Sequence, residues 1–172
     1  MIEHEAAIKL RTYVAARGRH PVRVTKHLVR YWWGIINRVV FDGTLLPARH
    51  IELMYSDEVY AWAIPGSNGR IDLHIQNHFH ERTTFLTVLI HEMVHAWEFM
   101  MYGRMGHGSR FTKWTTTIEQ RTPLILRKTI RDYEHSRKRP NRRYSRRSVG
   151  GDELKATGPT ADIDIQTLAS GT

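Results

Sequence analysis

The chain has 172 residues, of which 41% carry hydrophobic side chains and 25% are charged, enough for one ordinary globular core and too few for two. It contains no cysteine, which excludes disulfides, cysteine-based zinc ribbons and thiol catalysis, so a bound metal would need His, Asp or Glu ligands. The net charge of +9 is concentrated in residues 1–30 and 131–148, while residues 31–130 are almost neutral, a distribution typical of a core with flanking arms that attract polyanions.

The beginning of the sequence carries no pattern for export or membrane insertion. Residues 1–5, MIEHE, lack a basic segment followed by an apolar run. No stretch reaches about 18 uninterrupted apolar residues, the length that a membrane span requires. We therefore expect a cytoplasmic protein with no membrane partner.

Two helices are predicted in the first part of the chain. Apolar side chains recur at helical spacing in residues 3–17, and Gly18 supplies a stop. A second helical pattern starts after Thr25, whose hydroxyl suits an N-cap, and it ends at the turn Asp42-Gly43. The first helix is expected to be an extension of the domain that the second one begins.

Three short runs with strand-like patterns follow, at residues 51–55, 59–64 and 70–75. The turn sequence PGSNG, at residues 65–69, separates the last two runs. In the third run apolar and polar side chains alternate, which is the period of a strand with one buried face. We expect a small sheet of about three strands.

The most apolar helical pattern of the chain covers residues 85–102, and we refer to it as the central helix. The Thr83-Thr84 pair is expected to cap its start, and Gly103 is expected to end it. A further helix is predicted from an N-cap at Ser109 to Gln120.

The end of the chain has a different composition. A last helical stretch is predicted to end near Tyr133. Residues 136–172 are rich in arginine and then polar, with too few large apolar side chains to repay the entropy of ordering. We expect this tail to be disordered.

The central helix contains the pattern His-Glu-x-x-His, at His91, Glu92 and His95. The i, i+4 spacing puts both imidazoles on one helix face, where they can ligate the same zinc ion. Glu92 lies one step around the helix, where a carboxylate can take a proton from water without being a ligand. Because so short a pattern also arises by chance in a histidine-rich chain, its neighbours have to support it.

A catalytic zinc site normally has three protein ligands and one open position, so a third ligand is needed. The metzincin spacing requires a histidine at position 101, which is Met101. His107 is the first candidate, because the glycines on either side would let the backbone turn sharply toward the metal. Glu119 is the alternative ligand. Glu98, on the same helix face as the two histidines, is expected to orient an imidazole instead of binding the metal.

A second group of histidines, His74, His78 and His80, precedes the central helix. Their spacing matches no established ligand pattern. The alternative is that these histidines have a function, either lining a substrate cleft or binding another metal ion.

Two motifs together resemble the SprT-like family, which includes the Spartan proteases. The first motif is HEMVHAW, at residues 91–97, and the second is GHGSRF, at residues 106–111. The sequence FDGTL at residues 41–45 adds to the similarity, which covers roughly residues 25–130. The pair of motifs is far more specific than His-Glu-x-x-His alone.

The resemblance implies an α+β fold of minimal zincin type, in which a short three-stranded sheet packs on the active-site helix. It also implies that one Zn²⁺ ion is bound by His91, His95 and His107. Glu92 would be the catalytic acid and base.

The better-known members of this family cut proteins attached to DNA, which implies a protein substrate and DNA as a partner. Many of them carry a C-terminal zinc ribbon, which this cysteine-free chain lacks. A basic cluster in the tail could replace that ribbon by binding phosphates without sequence preference. The basic cluster consists of Arg137, Lys138, Arg139, Arg142, Arg143, Arg146 and Arg147.

Three segments are therefore expected: an N-terminal helix extension at residues 1–24, a SprT-like zinc metalloprotease domain at residues 25–135 and the disordered tail at residues 136–172. The predicted function is that of a zinc-dependent endopeptidase acting on DNA-associated proteins. The alternative is a non-proteolytic, zinc-stabilised DNA-binding or scaffolding module, in which the same histidines are structural.

Overall fold

A small three-stranded sheet and four helices, in the described part of the chain, make this an α+β protein, as the sequence predicts. The fold comes from a computed structural model that describes residues 2–16, 21–56 and 59–126. The helices are α1 (Ile2–Ala15), α2 (Lys26–Val40), α3 (Arg82–Tyr102) and α4 (Ser109–Arg121). The strands are β1 (Val22–Arg23), β2 (His50–Met54), β3 (Ala61–Pro65), β4 (Ile71–Gln76) and β5 (His78–Phe79).

The sheet has the strand order β2-β4-β3, with β2 parallel and β3 antiparallel to the central β4. On β4 the side chains of Ile71, Leu73 and Ile75 are at most 1% exposed, whereas Asp72 and His74 alternate with them on the other face. The predicted alternation is confirmed, and each predicted strand lies within one or two residues of its observed position. Helices α2 and α3 contact this sheet, and the hydrophobic core lies between the sheet and the two helices.

Helix α2 begins at the predicted cap. Thr25 is extended, and its hydroxyl accepts a hydrogen bond from the backbone N–H of Leu28 at 3.1 Å. Helix α1 packs against α2, where the rings of Tyr13 and Trp32 lie 4.3 Å apart between centroids. Leu10 of α1 is 1% exposed and belongs to the same hydrophobic core as the rest of the fold.

Helix α3 ends where the sequence predicts, at Gly103. This glycine has a φ of 67°, and its N–H donates to the carbonyl of Phe99 at 2.8 Å. The left-handed conformation favours glycine because a Cβ atom would crowd the backbone there. The chain therefore leaves the helix sharply and starts the loop to α4.

The start of α3 differs from the prediction. Helix α3 begins at Arg82, after Glu81 in an extended conformation, so the Thr83-Thr84 pair lies inside the first turn and does not cap it. The carbonyl of Glu81 already accepts the N–H of Phe85 at 3.2 Å, which starts the helical hydrogen-bond pattern before either threonine.

The sequence also missed two local features. A separate two-stranded ladder joins β1 to β5 and pairs Val22 with Phe79. Helix α4 has Gly108 as its N-cap, and Ser109 is its first residue, so Ser109 is not the cap.

The predicted tail cannot be compared with the fold, since residues 127–172 lie outside the described residues. The basic cluster and the predicted helical stretch towards Tyr133 fall in this segment. Among the described helices, none combines the length and apolarity that a bilayer crossing needs.

Candidate metal centre

Helix α3 carries two histidines one turn apart, at His91 and His95. Their ring centroids are 4.9 Å apart, as expected for positions i and i+4 on one helix face. His95 is buried, with 8% of its surface exposed, and His91 is half-buried. The predicted placement of the pair on a helix is therefore confirmed.

The loop between α3 and α4 brings a third histidine to this pair. The Nε2 atom of His107 lies 3.0 Å from Nε2 of His91 and 3.2 Å from Nε2 of His95. Ligand atoms of the three residues, here called the histidine group, all lie within 4.8 Å of one another. The part of the chain that the structure describes holds no other group of three His, Asp or Glu side chains with this spacing.

Hydrogen bonding alone does not explain why three Nε2 atoms converge. A neutral imidazole nitrogen either donates one hydrogen or accepts through one lone pair, so Nε2 of His107 can satisfy only one of its two neighbours. A tetrahedral zinc ion at about 2.0–2.1 Å from each nitrogen separates its ligands by about 3.3 Å. The distances of 3.0 and 3.2 Å between the Nε2 atoms are close to that separation, so the histidine group fits a zinc ion.

Burial keeps the two helix histidines neutral. Desolvation, with the charges of His95 and His107 as further causes, lowers the pKa of His91 to about 3. Desolvation and the neighbouring His107 lower the pKa of His95 to about 4. Near neutral pH both rings are therefore unprotonated, which is the form that binds a metal.

Glu92 lies next to His91 on α3, with 5% of its surface exposed. Burial raises the pKa of its carboxyl to about 8, and a hydrogen bond from the backbone amide of Ala63 acts in the opposite direction. Because Ala63 belongs to β3, the sheet and α3 meet at this carboxylate. Glu92 is not part of the histidine group, so among the described residues the metal-binding set consists of the three histidines without this carboxylate.

A second buried carboxylate, that of Glu98, also lies beside His95. Its Oε2 atom accepts a hydrogen bond from the backbone N–H of Gly106 at 3.0 Å and lies 3.7 Å from Nδ1 of His95. That separation is too long for a hydrogen bond, and within the described residues the buried Nδ1 has no other partner. The predicted proximity of Glu98 to an imidazole is therefore observed, and its contact with the loop is new.

The ring of Phe111 contacts all three histidines, a role that the sequence did not predict. Its centroid lies 4.7 Å from that of His91, 5.1 Å from that of His95 and 4.7 Å from that of His107. Phe111 sits in the first turn of α4 and is 3% exposed. A buried apolar ring here keeps water from one side of the imidazoles and restricts their orientation. The position of Phe111 at the end of the GHGSRF motif is the sequence feature that could have indicated this role.

The glycines around His107 do not act as predicted. Neither Gly106 nor Gly108 has a positive φ, and a Cβ atom at either position would meet nothing within 4 Å. The expectation that they allow a sharp turn is therefore wrong. The residue that redirects the chain in a left-handed conformation is Gly103.

The alternative site residues lie elsewhere. Glu119, in α4, is not part of the histidine group that the described residues form. The ring of His74 lies on the sheet, with its Nδ1 3.3 Å from a carboxylate oxygen of Glu52. His78 and His80 contact each other edge to face, with centroids 5.4 Å apart. Within the described residues, these three histidines do not form a metal-binding group.

Comparison with known protein families adds a finding from sequence. A family model described as the SprT-like family matches residues 34–136, more than half of the chain. The matched segment contains α3, the following loop and α4, and therefore the whole histidine group. A comparison with curated proteins finds no match.

Proposed function

Because the chain belongs to the SprT-like family, we propose that it is a zinc-dependent endopeptidase. The observation that carries the proposal is the convergence of three Nε2 atoms in the histidine group beside the buried carboxylate of Glu92. A structural zinc site is closed by four protein ligands, whereas a catalytic site has three ligands and one open position. Three histidines with a carboxylate that is not a ligand match the composition of a catalytic site.

The histidine group would hold the metal. Neutral imidazole nitrogens suit Zn²⁺, and Nε2 of His107 already lies from the other two Nε2 atoms at about the spacing of neighbouring tetrahedral ligands. When bound, zinc supplies Lewis acidity, which polarises the scissile carbonyl and lowers the pKa of water at the site. His107 is exposed, so water and substrate can reach the site from its side.

Glu92 would carry the proton. The positive charge of a bound zinc ion would favour the ionised form of this carboxyl against the effect of burial. In that form it takes a proton from the attacking water as the water oxygen bonds to the carbonyl carbon. The same group then returns a proton to the amine nitrogen as the carbon–nitrogen bond breaks. The backbone amide of Ala63 on β3 favours the ionised carboxylate, against the larger effect of burial.

The edge of β3 offers a path for an extended peptide. Among the described strands β3 pairs with β4 alone, and the amide of Ala63 on β3 reaches Glu92. A peptide added along this edge would gain main-chain hydrogen bonds while its scissile bond approaches the carboxylate. The side chains of Trp62 and Ile64 on β3 are 39% and 42% exposed, which leaves apolar surface on this strand for such a peptide. We therefore expect extended or unfolded protein segments as substrates.

Removing zinc should abolish cleavage, and restoring zinc should recover it. The full chain is stripped with a chelator and incubated with a DNA-binding protein, with and without single-stranded DNA, and fragments of both proteins are identified by mass spectrometry. We expect no cleavage by the stripped protein and full recovery with about one equivalent of Zn²⁺, because the histidine group holds one ion. Mg²⁺ is the control, since it prefers oxygen ligands.

The same experiment separates the two candidate functions. A zinc-loaded chain that cleaves neither itself nor the added protein, with or without DNA, would contradict the endopeptidase proposal. That result would favour the zinc-stabilised DNA-binding or scaffolding module. The three-histidine composition favours the enzyme, because a structural site would need a fourth protein ligand.

We also propose that the substrates are DNA-associated proteins. The support is the basic cluster in the tail of a chain with a net charge of +9, since lysine and arginine bind phosphates regardless of base sequence. A protease tethered to DNA would meet proteins on the same strand at a high effective concentration.

Neutralising the basic cluster should weaken DNA binding and leave the zinc content unchanged. With all of its residues replaced by glutamine, the slope of log K against log salt for single-stranded DNA should flatten by up to about 5, at about 0.7 for each lost phosphate contact. Fluorescence anisotropy over a range of salt concentrations measures this slope. Replacing the arginines by lysine keeps the charge and should keep the slope. Unchanged binding by the glutamine variant would remove the cluster from the DNA-binding surface.

A further inference from the structure

Glu98 touches two parts of the candidate metal centre that come from different elements. Its Oε2 atom accepts the N–H of Gly106 at 3.0 Å, and Gly106 directly precedes His107 in the loop after α3. The same oxygen lies 3.7 Å from Nδ1 of His95, which is one helical turn before Glu98 on α3. The same carboxylate oxygen thus lies beside His95 and holds the loop that carries His107.

The burial of this carboxylate costs stability. Glu98 is 5% exposed, and within the described residues it forms no ion pair with a lysine or arginine. A buried carboxylate without a cationic partner is destabilising, and an apolar side chain of similar size would pack at lower cost. Packing of the core alone therefore does not account for a carboxyl group at this position.

The Nδ1 atom of His95 supplies the reason. It is buried and has no hydrogen-bond partner within the described residues. When Nε2 of a histidine binds a metal, Nδ1 carries the hydrogen and requires an acceptor. A shift of less than about 1 Å would bring Oε2 of Glu98 to hydrogen-bond distance from this atom.

We propose that Glu98 is a positioning residue that couples His95 to the loop of His107 and so preorganises the metal centre. The hydrogen bond to Gly106 holds the third histidine near the other two, which reduces the ordering that metal binding would otherwise require. The carboxylate charge favours the His95 tautomer that has its hydrogen on Nδ1 and a free lone pair on Nε2. The inference rests on the proposed function for the zinc ion alone and does not require proteolysis.

Two substitutions separate the two contacts of Glu98. In Glu98→Gln the side-chain carbonyl can still accept the Gly106 N–H, but the negative charge beside His95 is lost. In Glu98→Leu both contacts are lost. We expect the zinc affinity, measured by competition with a chromophoric chelator, to fall about 10-fold for the first and about 100-fold for the second. The ligand-field absorption of bound Co²⁺ should change in both variants, because the ligands are held less firmly.

The metal-free proteins provide the control for a merely structural role. Because Glu98 is buried without a lysine or arginine partner in the described residues, and glutamine can keep the Gly106 hydrogen bond, metal-free Glu98→Gln should melt at the same temperature as the parent or higher. Glu119→Gln, on α4 and outside the histidine group, should change neither zinc affinity nor cobalt spectrum. Unchanged affinity and spectrum in both Glu98 variants would overturn the proposal, whatever their melting temperatures, and would leave the endopeptidase proposal standing. A parent protein that binds zinc but cleaves nothing would contradict the endopeptidase proposal and leave the Glu98 proposal standing.

Discussion

Replacing His95 by alanine should nearly abolish zinc binding and, with it, the stability that zinc adds. His95 is buried, and its Nε2 lies 3.2 Å from that of His107, so its replacement leaves the histidine group with two ligands. We expect the affinity to fall by more than about 100-fold, since changes around the ligands alone cost 10–100-fold. At a zinc concentration of 100 Kd the parent gains about 2.7 kcal/mol in free energy of unfolding, and the variant should gain almost none.

Calorimetric titration and thermal melting with and without zinc measure these two effects. His80→Ala is the matched control, because His80 is exposed and lies outside the histidine group. It should keep the affinity and the stabilisation of the parent. Parental zinc affinity in His95→Ala would refute the assignment of the metal to the histidine group. A loss of zinc in His80→Ala would instead assign a metal-binding role to the second group of histidines.

The features of the fold that could be predicted are those that depend on neighbouring residues. The alternation at Ile71, Leu73 and Ile75 has the period of a strand, and Thr25 has a side chain that can cap the helix after it. The strand order β2-β4-β3 and the parallel pairing of β2 with β4 were not predicted. Pairing depends on contacts between distant segments, and a strand pattern does not specify its partner.

In the candidate site, too, features set by neighbouring residues could be predicted and contacts between distant segments could not. The spacing of His91 and His95 predicts a shared helix face, because both lie within one turn of a helix. The hydrogen bond from the Ala63 amide to Glu92 could not be predicted, since a backbone group on a distant strand has no side-chain signature. The contact of Glu98 with Gly106 depends on the path of the loop after Gly103. The sequence predicted that this loop brings His107 to the metal, but it assigned the turn to Gly106 and Gly108, neither of which has a positive φ.

Replacing Glu92 by glutamine should leave zinc in place and remove cleavage. Glutamine has almost the same shape, and its carbonyl can accept the hydrogen bond from the Ala63 amide, so the histidine group should keep its geometry. Glutamine cannot take a proton from water, and general acid–base catalysis contributes about 10²–10⁴-fold to the rate. We expect kcat/KM for a protein substrate to fall by that factor while the zinc content stays at about one ion per chain.

Measuring zinc content and cleavage on the same samples separates metal binding from proton transfer. His95→Ala should lose both properties, whereas Glu92→Gln should lose cleavage alone, because only His95 belongs to the histidine group. Glu119→Gln is the matched carboxylate control, and it should keep both. Cleavage by Glu92→Gln at the parental rate would assign proton transfer to another group. Loss of zinc from Glu92→Gln would show that this carboxylate supports metal binding, so that its loss of cleavage would no longer identify it as the catalytic base.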